Sequence, residues 1–217
     1  MFGAAFSGFE SLLDSHRGWD PGALKLAHQM ARSLHAPLFA SSTTRLLIDL
    51  NRSMGNPTLY SEASRPLPAS VRREIVDRFY RPHRDRVEGA VAAAIARGDR
   101  VVHIASHSFT PELNGTVRSA DVAWLYDPSH AGESRFAADW HAALRRCNPT
   151  LRLRRNYPYQ GRGDGLTTLL RRRHGPRHYV GIELEVNQRF VESGGAAWSA
   201  LRRDLVDSLQ AALAAPG

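Results

Sequence analysis

The sequence predicts an α/β fold with three layers, helices on both faces of a mostly parallel or mixed central sheet. Three observations carry this reading. Apolar, β-branched runs, such as residues 101–105 and 179–186, alternate with segments of helical periodicity. These runs end in polar residues, as strands that feed a functional edge do. The 217 residues, 42% hydrophobic and 23% charged, are enough for a single domain over residues 1–217 with a sizeable core.

The elements follow in order. Pro21 and Gly22 open a helix running to Leu34, with Leu24, Ala27, Ala31 and Leu34 at helical spacing and Asp20 placed as its N-cap. Residues 36–39 read as a short strand or edge, and residues 45–50 as a buried strand. Residues 53–68, rich in Ser, Pro, Gly and Asn, are a loop. Ser70 caps a helix over 71–80, with Glu74 near the capping-box position. A second helix spans 84–97 and stops at Gly98. Residues 101–105 form the central strand. Further strands are expected at 121–126, 151–155 and 179–186, and helices at 133–147, 167–174 and 196–214.

Composition excludes several classes. One cysteine, Cys147, rules out an internal disulfide and fits a reducing, cytoplasmic compartment. No apolar run approaches the roughly 20 residues of a membrane helix, and no leader pattern is visible. The net charge is +8, yet Lys25 is the only lysine among 29 cations. No recognition module or aromatic interleaving accompanies the arginines, so the partner expected is a small anionic molecule rather than nucleic acid. The oligomeric state is left open.

Three segments gather groups able to do chemistry. In the first, His103 and His107 lie four residues apart, on one face of a strand, before Ser108 and Thr110. His107 is either a metal ligand or a histidine hydrogen-bonded at a strand end. In the second, Arg45, Asp49, Asn51 and Arg52 stand on an apolar run. Guanidinium forks bind carboxylates bidentately, so Arg45, Arg52 and the later Arg118 are either substrate clamps or solvated surface, and Asn51 adds amide donors. In the third, Glu183 and Glu185 share a strand face. Glu183, between apolar Ile182 and Leu184, reads as a general base of raised pKa, while one of the pair can instead match an arginine; for both the alternative is a buried ion pair. Upstream, His16, Arg17 and Asp20 precede a helix; Asp20 is either a metal ligand or only the cap. The tract 156–161 reads as a lid over the pocket or as exposed loop.

In this order, residues 16–23 (His-Arg-Gly-Trp-Asp-Pro-Gly-Ala), residues 44–52 with their Asp-Leu-Asn-Arg piece, His107-Ser108-Phe109, residues 156–161 and Gly181-Ile182-Glu183 resemble the N-formylglutamate amidohydrolase family. That family is similar to the zinc carboxypeptidases and aspartoacylases. The resemblance implies a zinc-dependent hydrolase of the C–N bond in a small N-acyl amino acid. It places zinc on His107, the substrate carboxylate on Asn51 and Arg52, and the general base on Glu183. The family begins with a strand ending in a His-Gly-Gly or His-Ala-Gly turn that supplies a metal ligand, whereas residues 1–15 contain no histidine. The expectation is therefore a domain lacking that strand, with an exposed sheet edge, weak zinc binding and a tendency to self-associate. The alternative from another class is a non-catalytic carboxylate-binding protein.

Overall fold

A computed structural model describes residues 2–215. Its main sheet has four strands: β1 (Val101–Phe109), β4 (Val122–Leu125), β5 (Leu153–Arg155) and β6 (Tyr179–Asn187). Their order is β1-β6-β4-β5. β1 runs parallel to β6, β4 antiparallel to β6, and β5 parallel to β4, so the sheet is mixed. A small hairpin, β2 (Glu112–Leu113) with β3 (Thr116–Val117), follows β1.

Helices α1 (Glu10–Leu13), α2 (Ala23–Leu34), α3 (Ala69–Ile75), α4 (Arg81–Ala96), α5 (Ala131–Cys147), α6 (Leu166–His174), α7 (Arg189–Ser193) and α8 (Gly195–Leu213) surround the sheet. One face is covered by α2, α5 and α8, whose Leu26, Trp140 and Leu205 pack on Trp124, Ile182 and Leu184. On the other face, Val87 and Val91 of α4 and Leu166 and Leu170 of α6 pack around Tyr179. A third cluster joins Leu47, Ile48 and Leu59 to Ile75, Val76 and Tyr80. This is the expected three-layer α/β fold.

Several local expectations are corrected. The strand expected at 45–50 is a series of turns. Leu46, Leu47 and Ile48 are buried, but the Leu47 and Ile48 N–H groups donate back to the Thr44 carbonyl, and the Asp49 N–H donates to that of Leu59. Residues 36–39 form no strand. Asp20 does not cap α2: Gly22 holds the N-cap position at φ +80°, and the Asp20 side chain turns elsewhere. Ser70 lies inside α3, whose N-cap is Pro68 with no side-chain hydrogen bond. The two helices expected at 71–80 and 84–97 are joined, because a π-helical stretch Val76–Tyr80 links α3 to α4. β1 is an edge strand of the described sheet, and β6, buried at eight of its nine residues, takes the central place expected of it. No strand precedes β1 among the described residues, and Val101 to His107 are half-buried rather than fully covered.

Candidate active site

The parallel register of β1 and β6 sets His107 beside Glu185, Ala105 beside Glu183 and His103 beside Gly181. Side chains alternate faces along a strand, so His103, His107, Glu183 and Glu185 all share the α4–α6 face. Asp20, at the entrance to α2, reaches His107: its Oδ2 lies 2.8 Å from His107 Nδ1. Its other oxygen accepts from Arg45 Nη2 at 2.6 Å. The Ser106 hydroxyl, pointing to the opposite face, donates to the Ala23 carbonyl at 3.0 Å and pins the start of α2 to β1. That contact fixes Asp20 within reach of His107.

These charges tune one another. Burial alone would lower the pKa of His107, but the Asp20 hydrogen bond and the carboxylates of Asp20, Glu185 and Glu183 carry it up to about 9. Burial likewise raises the carboxyl of Asp20, yet His107 and Arg45 hold it below its ordinary value. Glu185 is 5% exposed. Burial pushes its pKa up to about 8, against the pull of His107 and Arg45. Its Oε2 is buried and has no hydrogen-bond partner. An orphaned carboxylate oxygen beside a cationic imidazole marks Glu185 as a group held ready for a ligand or a proton. His16 is held below its ordinary pKa by burial and then by Arg118, Arg17 and Arg45, which places those groups in one neighbourhood.

The remaining candidates divide. Glu183 Oε1 accepts from the Thr167 hydroxyl at 2.9 Å and from Asn51 Nδ2 at 3.4 Å. Asn51 Oδ1 accepts the Leu166 N–H at 2.8 Å, which anchors the start of α6. A Cβ on Gly165 would stand 3.1 Å from Glu183 Oε1 and 3.3 Å from Asn51 Oδ1, so the glycine lets the loop lie close over both. Arg52 donates to the Asp164 carbonyl and lies 3.7 Å from Asp49. Asn51 and Arg52 thus hold the 164–166 loop. Arg118 is buried, donates to Thr110 Oγ1 at 3.2 Å, and lies over the rings of Phe109 and Tyr159. Tyr159 belongs to the 156–161 tract, whose Gly161 packs so tightly that a Cβ would stand 1.9 Å from the Tyr126 nitrogen. Asn156 Oδ1 accepts from the Tyr126 and Gly161 N–H groups, so the tract is tied to the end of β4.

Asp20 and His107 are the two expected metal donors, and the structure brings them together. No cluster of three or more His, Cys, Asp or Glu suited to a metal ion occurs among the described residues. A catalytic zinc takes about three protein ligands, so these donors alone do not make such a site. The sequence puts the general base on Glu183 and does not bring Glu185 to His107. Both have the same period and the same face; only the register against β1 brings Glu185 to His107. No described helix is long and apolar enough to cross a membrane.

The chain is similar to the crystal structure of gene product Atu2144 from Agrobacterium tumefaciens, at 30% identity and a TM-score of 0.78, over 94% of this chain and 81% of that one. No curated protein matches it. The model of the N-formylglutamate amidohydrolase family matches residues 4–191. That span takes in Asp20, Arg45, His107, Arg118 and Glu185, and the chain belongs to the N-formylglutamate amidohydrolase family.

Proposed function

We propose that this protein hydrolyses the C–N bond of a small N-acyl amino acid of the N-formylglutamate kind. The observation that carries the reading is Glu185, buried and unpartnered beside the Asp20–His107 pair, in a chain of an amidohydrolase family. In this reading Glu185, rather than Glu183, is the general base. It takes a proton from water as the oxygen attacks the acyl carbonyl. The C–N bond then breaks, and the proton passes to the leaving amine. A carboxyl that titrates near neutral pH can both accept and return that proton. His107, cationic and oriented by Asp20, supplies positive charge for the developing oxyanion. Arg45 and Arg118 offer forks for the substrate carboxylates.

Zinc remains part of the proposal as an expectation from the family, with Asp20 and a deprotonated His107 as its donors, in place of the cationic role of that histidine. Two donors fall short of a catalytic site, and no step is assigned to the metal. The same shortfall favours a second reading, a protein that binds carboxylates through Arg45 and Arg118 without turnover.

Formate release from N-formyl-L-glutamate separates the two. The first reading expects turnover that falls at least about 100-fold in kcat in Glu185→Gln, with little change in KM. Saturable binding of the substrate without formate release would support the second reading and sink the first.

A further inference from the structure

A cavity of about 160 Å3 lies between residues 40–43 and the helical stretch at 78–86. It shares no lining residue with the Asp20–His107 cluster. Ser41 and Thr43 stand on one wall; Arg78, His83 and Arg86 stand on the other. No lining residue is acidic. Two nearby carboxylates are engaged, Glu74 with Arg78 at 3.0 Å and Asp77 with Arg81 at 3.2 Å, and Asp85 of α4 does not line the cavity. Arg86 has no carboxylate partner among the described residues; its guanidinium lies over the Phe39 ring at 5.7 Å. The Ser41 hydroxyl donates to Thr43 Oγ1 at 3.0 Å, which leaves the Thr43 hydroxyl proton free to point at a ligand.

Cationic and hydroxyl donors that converge on a cavity with no acidic lining residue are complementary to an anion. A water takes about 30 Å3 of liquid volume, so the space admits an ion of several heavy atoms. We propose that this cavity binds a small tetrahedral oxyanion of the phosphate or sulfate class, separately from the hydrolytic substrate. Arg86 supplies the main fork, and His83 and Thr43 complete the donor set. The groups that face His83 agree with this. After burial, Arg84 and Arg86 lower its pKa, and His103 of β1 lies within range of its charge. A bound dianion would offset those cations.

The test is a titration of the whole chain with inorganic phosphate at constant ionic strength, read by the imidazole signal of His83 and the amide signal of Thr43. Sulfate and acetate serve as parallel arms. A saturable shift with phosphate and sulfate, weaker with acetate, is expected, together with a rise in the His83 titration midpoint when phosphate is saturating. Arg86→Ala should weaken phosphate about tenfold, the loss of one charge-assisted contact. Arg203→Ala, an exposed arginine on α8 across the sheet, should leave binding unchanged. No saturable shift, an equal response to chloride, or equal weakening in both variants would overturn the site. Thr43→Val, which removes the donor hydroxyl and keeps the side-chain shape, should weaken phosphate with the fold intact by circular dichroism. If Arg86→Ala unfolds, Thr43→Val decides: an unchanged affinity overturns the site.

Discussion

Asp20 sets the charge of His107. The imidazole is buried, which disfavours its cationic form, and only the hydrogen bond and neighbouring carboxylates reverse that penalty. Asp20→Asn keeps the shape but removes one charge and the anionic acceptor. The His107 titration midpoint, followed by NMR, should then drop from about 9 toward or below the ordinary 6.5. A midpoint unmoved by the substitution would show that Glu185 and Glu183 alone hold the proton. In the proposed zinc reading the same two residues are the donors. Zinc titrated into the chain should bind far more weakly than at a site with three donors, and His107→Ala should abolish what binding there is. Tight stoichiometric zinc, measured by chelator competition, would show that further residues complete the site. At this scale the sequence was readable in part. His107 stood out at the end of an apolar run, Arg45 at the start of one, and Asp20 with His16 and Arg17 ahead of a helix. That Glu185 rather than Glu183 lies beside His107 was not readable, since residues two apart on a strand share a face and only the pairing partner differs. The engagement of Asn51 and Arg52 with the 164–166 loop was equally hidden, because those contacts span more than a hundred residues.

Element packing rests on one buried pair that the sequence did not flag. Glu133, at the start of α5, is fully buried. It accepts from Arg171 Nε of α6 at 2.8 Å, from the Gly181 N–H of β6 at 2.9 Å and from the Asp127 N–H at 2.9 Å. Two helices from opposite faces of the sheet are thereby tied to its central strand. Glu133→Gln would leave the Arg171 charge buried without a counter-ion. We expect a loss of about 3–5 kcal/mol in urea unfolding, much more than for an exposed pair such as Arg97–Asp99. A loss under about 1 kcal/mol, the range of exposed pairs, would mean that the pair is not stabilising as described. The elements most legible in sequence were those with long periodic patterns, α5, α8, β1 and β6. The 45–50 segment misled because a short apolar run bounded by turn signals looks the same whether it is a strand or a buried turn. Here its backbone groups are satisfied by Thr44 and Leu59 rather than by a neighbouring strand.

For the whole molecule, sheet order was the largest gap between sequence and structure. Which strand lies centrally depends on pairings across 78 residues, such as Val101 with Tyr179, and no local pattern encodes them. The consequence is a face on which His103, His107 and Glu185 titrate together, and their linkage predicts the shape of the stability curve. His103, hydrogen-bonded to the Tyr179 hydroxyl at 2.7 Å, is pushed down to about 4 by burial and the nearby histidines. Between about 4 and 6.5 the unfolded chain therefore holds a proton that folded His103 lacks, and stability rises with pH. Glu185, raised from 4.5 to about 8, works the other way. The folded state keeps a proton that the unfolded state has lost, so stability falls from 4.5 upward. His107, raised from 6.5 to about 9, adds a second fall above 6.5. From 4.5 to 6.5 the contributions of His103 and Glu185 oppose and nearly cancel. From 6.5 to 8 those of Glu185 and His107 reinforce. Urea unfolding across this range should show a plateau, then a decline of about 1 kcal/mol or more per pH unit. Glu185→Gln should halve the decline and reveal a rising limb below 6.5. Stability that climbs steadily from pH 6.5 to 8 in the unmodified protein would show that the three groups are not coupled across the β1–β6 face in this way.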